Sequence, residues 1–451
     1  MSFDLIVRGG SVLGGGVRDV GVVDGAVLAV EPDLAGGAAV EIDAAGLLVL
    51  PGAVDAHVHL NDPGRADWEG FATGSAALAA GGTTTAIDMP LNAIPPTLDG
   101  ASFAAKVAAA RGVTRVDVAL WGGLVPGDPD RLDELADAGV VGFKAFMSAS
   151  GVAEFEAADD LTLLEGMARA AALGLPVAVH AESDAITGRL AARAMAAGRT
   201  GVRDYLDSRP VVAEVEAIER AILFAQETGC ALHVVHVSSG RGVARVAEAR
   251  ARGVDVTCET CPHYLVLDAA DAERLGAAAK CAPPLRPGAV VEELWRHLLA
   301  GDVDLVATDH SPSPAALKAA GEDHFAAWGG IPGAQTLLAL VYDSGVVSRG
   351  LDVARLARLT AGAPAARLGL APAKGALEIG ADADLVLLDP AQEWTIARDD
   401  LLDRHRLSPF AGRTLRGRVV RTILRGQTIA AEGEVVGEPL GRVLRRDGTP
   451  A

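Results

Sequence analysis

The chain has 451 residues, 50% of them apolar and 22% charged, which is the composition of a large folded domain with a smaller companion and excludes a disordered chain. Its 40 Lys+Arg against 59 Asp+Glu leave a net charge of −19. So acidic a chain repels phosphate backbones and anionic lipid, which excludes nucleic acid and membrane surfaces as partners but leaves a small molecule at a local site open.

The first residues, Met1 to Gly10, show no basic segment followed by an apolar core, so no signal peptide is expected. No apolar run approaches the roughly 18 residues of a membrane span. Cys230, Cys258, Cys261 and Cys281 are too few for a disulfide scaffold, and Cys258-Glu259-Thr260-Cys261 is a single CxxC without a second. These are read as reduced, buried thiols of a cytoplasmic protein.

In chain order, residues 1–50 read as short strands with Gly and Asp turns (Asp4–Arg8, Val17–Val23, Ala26–Val30, Val40–Asp43, Leu47–Val49). From 51 to 372, apolar strands alternate with Ala-rich helical stretches such as Gly70–Ala80, Leu161–Leu173, Val212–Thr228 and Val243–Arg252. The strands are Ala53–Leu60, Thr83–Met89, Val116–Leu124, Val140–Met147, Pro176–His180, Ala231–Val237, Asp255–Cys261 and Asp304–Asp309. Eight such units predict an α/β fold of the TIM (β/α)8 barrel type. Residues 373–451 return to β texture, with Asp384–Leu388 and Val419–Leu424, so both termini are expected to build one small β-sandwich beside the barrel.

Barrel active sites lie at the C-terminal ends of the strands. Strand 1 ends in Asp55-Ala56-His57-Val58-His59, and residues two apart on a strand share a face, so both imidazoles can address one metal. Lys144 stands in the apolar run Phe143-Lys144-Ala145-Phe146. His180, His236 and Asp309 end strands 5, 6 and 8. His233 lies three residues before His236, faces the other way, and is read as packing. Imidazole and carboxylate suit zinc and similar divalent ions. Two ions about 3.5–4 Å apart need a bridging anion. Nearby cations favour the neutral amine of Lys144, and a neutral amine that adds carbon dioxide becomes a carbamate, a bridging carboxylate. Asn92, after strand 2, offers an amide to a ureido or imide group.

These residues resemble the amidohydrolase superfamily over nearly the whole chain. The motifs are Pro51-Gly52-x-x-Asp55-x-His57-x-His59, Gly142-Phe143-Lys144, His180-Ala181-Glu182, His236-Val237-Ser238, Thr308-Asp309-His310 and Gly380-x-Asp382-Ala383-Asp384-Leu385. The resemblance is to the cyclic-amide branch. It implies that His57, His59, carboxylated Lys144 and Asp309 hold one metal, that Lys144, His180 and His236 hold the other, and that Asp309 shuttles protons. Zinc is the expected ion, with iron, cobalt and manganese as alternatives. Dihydroorotases carry an arginine two residues after the second histidine, where this chain has Asn61. Hydantoinases and dihydropyrimidinases carry a tyrosine soon after the lysine, where this chain runs Phe146-Met147-Ser148-Ala149-Ser150.

Gly64-Arg65-Ala66-Asp67-Trp68-Glu69-Gly70, Met89-Pro90-Leu91-Asn92, Ser208-Arg209-Pro210, Trp328-Gly329-Gly330-Ile331 and Arg404-His405-Arg406-Leu407-Ser408-Pro409-Phe410 resemble the allantoinase family. That resemblance implies hydrolysis of allantoin to allantoate by a homotetramer. Asn92, Ser311, Gly330 and the backbone at Ala282 are the expected substrate contacts. Ala282 departs from the serine usual in the KCSPP run. A hydantoinase- or dihydropyrimidinase-type enzyme and a catalytically inactive amidohydrolase-like scaffold are the alternatives.

Overall fold

The structure, a computed structural model, describes residues 2–128 and 130–451. The N-terminal strands are β1 (Phe3–Val12), β2 (Val17–Val23), β3 (Ala26–Glu31), β4 (Ala38–Asp43) and β5 (Leu48–Pro51). The C-terminal strands β15 (Leu385–Thr395), β16 (Thr414–Leu424), β17 (Gln427–Ala431) and β18 (Glu434–Val435) join them in one nine-stranded sheet. The splice between chain ends is the antiparallel pair β5–β15, with Val49 opposite Leu387 and Pro51 opposite Leu385. These residues are buried, so the apolar runs that predicted strands also supply the driving force that pairs them. Gly52 then turns the chain into the barrel. A Cβ there would lie 2.1 Å from Thr84 Oγ1, so only glycine lets the two strands approach.

The barrel strands are β6 (Ala53–Val58), β7 (Thr83–Asp88), β8 (Asp117–Leu120) with β9 (Gly122–Gly123), β10 (Phe143–Phe146), β11 (Val177–His180), β12 (Leu232–Val234), β13 (Val256–Thr260) and β14 (Leu305–Val306). Neighbours pair in parallel from β6 to β8 and from β9 to β14. Only Trp121 separates β8 from β9, where pairing passes from β7 to β10, so together they are the third of eight strands. The ring closes where Val58 bridges His310 in parallel and His59 N–H donates to the His310 carbonyl at 2.8 Å. The protein is a TIM barrel with a β-sandwich built from both termini. Val54, Ile87, Ala119, Ala178 and Leu305 form one buried apolar cluster that draws on β6, β7, β8, β11 and β14.

All eight barrel strands are shorter than the sequence predicts. Beyond β12 and β14, His236 has φ 40° and Asp309 φ 47°, both left-handed, so the extended chain cannot run on to Val237 and Asp309. Asn61 (φ 63°) and Asn92 (φ 70°) do the same after β6 and β7. Among the described residues no helix is long and apolar enough to cross a membrane. The last residues leave the sandwich: β19 (Val443–Leu444) pairs in parallel with β8.

Barrel and sandwich are locked by a buried ionic knot at the start of β8. Lys374 Nζ lies 2.6 Å from Asp117 and 2.8 Å from both Asp382 and Asp384. Arg425 also binds Asp117, and its backbone N–H donates to Asp384 at 2.8 Å. The three carboxylates are close enough to hold a cation, but the Lys374 ammonium already sits among them. Breaking a buried pair by removing one partner costs about 3–5 kcal/mol. Lys374→Met is expected to lower the unfolding free energy by that order, read as a lower urea midpoint, and an unchanged midpoint would show that the knot does not hold the domains.

Candidate active site

The C-terminal mouth of the barrel collects the candidates from five strands. His57 Nε2 and His59 Nε2 lie 3.3 and 3.4 Å from Asp309 Oδ1, and the three side chains are close enough to hold one ion. His180 Nδ1 faces His236 Nε2 at 3.1 Å. The His57 and His236 rings are 5.4 Å apart, which joins the two groups. Lys144 lies fully buried, and no acceptor among the described residues reaches its Nζ.

For His57 and His180, the ring nitrogen presented is set by a carboxylate behind it. His57 Nδ1 donates to Glu259 Oε1 at 2.5 Å, leaving the Nε2 lone pair toward Asp309. His180 Nε2 donates to Glu182 Oε2 at 3.0 Å, leaving Nδ1 toward His236. Glu259 also accepts from His233 Nε2 at 3.1 Å and from the His236 backbone N–H at 3.3 Å. His233 is therefore not mere packing; its Nδ1 meets Thr257 Oγ1 at 2.8 Å and its Nε2 anchors Glu259. Three further buried carboxylates brace the backbone around the mouth. Asp55 accepts from Thr308 N–H at 3.0 Å, Asp88 from Leu60 N–H at 2.7 Å, and Glu214 from Ser238 N–H at 2.7 Å.

Electrostatically, two carboxylates of the mouth, Glu259 and Asp309, have among the described residues no arginine or lysine ion pair and make theirs only with histidines. Burial alone would raise both acids, yet the neighbouring imidazoles outweigh it, bringing Glu259 to about 2 and Asp309 well below the usual range. Burial pulls Lys144 down to about 7, where the neutral amine is well populated. Burial likewise lowers His59, His180 and His236, which favours their neutral forms. Neutral lone pairs facing one another, ionised carboxylates without an ammonium or guanidinium, and an orphaned buried amine form a donor set that fits a pair of divalent metal ions. The four cysteines are free and buried, and burial raises Cys258 and Cys261 well above ordinary thiols, which takes CxxC out of the metal chemistry.

Above this floor opens a cavity of about 450 Å³. Asn92, Ala282, Ser311 and Gly330 all line it, with Phe146, Tyr205, Arg209, Lys280 and Trp328. Asn92 Nδ2 points to His59 Nδ1 at 3.4 Å, and no donor among the described residues reaches its Oδ1. Gly330 has its N–H tied to the Lys280 carbonyl at 2.7 Å and its carbonyl to Lys318 Nζ at 2.8 Å. Its role is close approach: a Cβ there would lie 2.3 Å from the Ser311 carbonyl oxygen. Phe146 stacks on the His180 ring at 4.5 Å and 10°.

Arg65, Glu69 and His263 do not line the cavity. Arg65 donates to the Asn92 carbonyl at 3.1 Å and stacks on Trp68. Glu69 faces His310 Nε2 at 3.5 Å, and His263 packs against Tyr264 at 4.2 Å. Sequence reasoning passed over Asp88 and Glu214, and met Asp55, Glu182, Arg209 and Glu259 only as members of motifs. The available signal was an acidic residue inside an apolar strand, such as Glu259 between Cys258 and Thr260.

An eight-stranded barrel with imidazoles, a carboxylate and an unpaired lysine at its C-terminal mouth defines a hydrolase built for a binuclear metal centre. The amidohydrolase family model matches residues 48–429, and the chain belongs to that family. A relative from Rubrobacter xylanophilus named allantoinase is 63% identical over 446 residues, covering 98% of each chain. One of the same name from Deinococcus radiodurans is 52% identical, covering 99% of each. Among solved structures, the L-hydantoinase (dihydropyrimidinase) of Arthrobacter aurescens superposes with a TM-score of 0.95 at 38% identity, over 98% of this chain and 100% of that one.

Glu259→Gln tests the brace beneath the site. An amide oxygen and NH2 group cannot accept from His57, His233 and the His236 backbone together. A buried donor left unsatisfied costs about 1–3 kcal/mol, so guanidinium unfolding of the metal-free variant should show a loss of that size. Equal stability would mean that Glu259 bonds neither ring.

Proposed function

We propose that the protein is an allantoinase, hydrolysing the hydantoin ring amide of allantoin to allantoate. The observation that carries the chemistry is Lys144, a fully buried amine with no acceptor among the described residues, near enough to Asp309, His180 and His236 for their charges to interact. Relatives named allantoinase, 63% to 44% identical over nearly the full length, support the substrate. So do Asn61, where an arginine would hold a substrate carboxylate, and Phe146 with no tyrosine soon after Lys144.

In this reading His57, His59, Asp309 and carboxylated Lys144 hold one metal, and Lys144, His180 and His236 the other; zinc, iron, cobalt and manganese all suit the donors. When bound, the metal pair supplies Lewis acidity, polarising the ring carbonyl and lowering the pKa of water toward about 7. Asp309, ionised and acceptor-only, takes the proton of the attacking water on a carboxylate oxygen and returns it to the leaving ring nitrogen. Glu259 and Glu182 keep Nε2 of His57 and Nδ1 of His180 unprotonated. The Asn92 amide receives the imide or ureido group of the ring. Ser311 and the Ala282 backbone face the same cavity, and Gly330, which lets the Ser311 backbone approach, lines it beside them. The departure at Ala282 removes a hydroxyl but no backbone group. We read the assembly as a homotetramer working in the cytoplasm, for which light scattering on the purified protein is the check.

Chelator treatment is expected to abolish allantoin hydrolysis, and zinc or manganese with bicarbonate to restore it. Lys144→Ala should lose at least about 10³-fold in kcat, some 4 kcal/mol of barrier. Full activity without metal, or in that variant, would overturn the mechanism. Dihydrouracil or an alkyl hydantoin turned over faster than allantoin would favour the hydantoinase reading.

A further inference from the structure

The far wall of the cavity carries a feature that the chemistry at the metal floor does not use. Arg209 and Lys280 both lie against the ring of Tyr205, with the Arg209 Cζ 5.5 Å and the Lys280 Nζ 4.7 Å from its centroid. All three side chains line the cavity. Tyr205 is itself pinned, donating its hydroxyl to the Cys281 carbonyl at 2.9 Å. Lys280 is spent on the wall: its Nζ donates to the carbonyls of Phe325, at 3.1 Å, and Ala327.

Arg209 is different. Buried Glu182 accepts from its Nη1, and the Arg286 guanidinium holds its backbone carbonyl. Among the described residues no other acceptor reaches the guanidinium, whose side chain remains 19% exposed. A guanidinium is a rigid planar fork of five donors. Here one edge is fixed by Glu182 and a face is packed on an aromatic ring, so the remaining N–H groups are held ready at little entropic cost. Such a fork matches a planar carbonyl acceptor. It also stands where the charge of the chain as a whole, −19, gives no expectation of a cation.

We propose that Arg209 is the specificity-determining residue for the group carried on the substrate ring, donating hydrogen bonds to the carbonyl of a ureido or similar planar amide substituent. Glu182 and Tyr205 hold it in place. The inference rests on the proposed hydrolysis of a hydantoin ring, and it names what reads the substituent while the floor reads the ring.

The test compares kcat/KM for allantoin with that for unsubstituted hydantoin in the wild type, Arg209→Met and Arg209→Lys. A role confined to bracing Glu182 and His180 would lower both substrates together and leave their ratio unchanged. Reading of the substituent should instead lower the allantoin-to-hydantoin ratio about ten- to a hundredfold in Arg209→Met, the range for a lost charge-assisted hydrogen bond, with part of it restored in Arg209→Lys. An unchanged ratio overturns the inference while leaving the proposed reaction standing. Wild-type turnover of hydantoin without turnover of allantoin overturns both. A measurement free of folding effects is wild-type preference for the ureido substituent over an isobutyl group of similar size. At least about tenfold preference is expected for a polar group the site is built to bind, and equal rates overturn the proposal.

Discussion

One carboxylate underlies the geometry of the active site. Glu259 on β13 accepts from the His57 ring on β6, from the His233 ring on β12 and from the His236 backbone just beyond β12. A fully buried acid is costly in isolation. It is tolerated here because three N–H donors converge on it and the imidazoles keep it ionised. The same contacts decide which nitrogen of His57 carries a proton, and so which lone pair faces the cavity. Fold stability and site chemistry thus rest on one set of hydrogen bonds, and each strand end would be free to shift without the others.

The barrel supplies what this carboxylate needs. Parallel strands bring eight chain reversals to one rim, and the rim residues leave the extended conformation as soon as the ladder ends. Four of them, Asn61, Asn92, His236 and Asp309, adopt left-handed backbone angles. Such angles cost energy in a free chain, and here the neighbouring backbone is braced by buried acids. Asp55 holds the Thr308 N–H and Asp88 the Leu60 N–H. At the opposite rim Lys374, Asp117 and Asp384 tie barrel to sandwich. Unlike the knot at that opposite rim, the mouth gives Glu259 and Asp309, among the described residues, no ion pair with lysine or arginine, and that imbalance suits it to metal ions.

Much of the site was legible in the sequence because its ligating types are rare at strand ends. His57-x-His59 shows two imidazoles on one face by strand periodicity alone, and a lysine between Phe143 and Ala145 has no ordinary structural use. The alternation of strands and helices likewise declared the barrel, and the β texture of both ends declared their shared sandwich. Glu259 was less visible. It sits in a CxxC run that draws attention to the thiols, and its partners lie on two other strands. Arg209 follows a helix in a Ser-Arg-Pro run, where nothing local distinguishes a cavity-lining guanidinium from a solvated one. The shortened strands at His236 and Asp309 escaped too, since no local rule puts a histidine or aspartate in the left-handed region.

The sequence by itself determined the fold class, the β character of both chain ends and the imidazoles, lysine and carboxylate that stand at strand ends, because each follows from periodicity and residue type along the chain. Tertiary structure alone decided which nitrogens face inward, which acids hold them, and which cation looks into the cavity. Those depend on distances between residues far apart in sequence, such as the 2.5 Å between His57 and Glu259, 202 positions away. No local propensity encodes that contact; it exists only when β6, β12 and β13 close into one barrel.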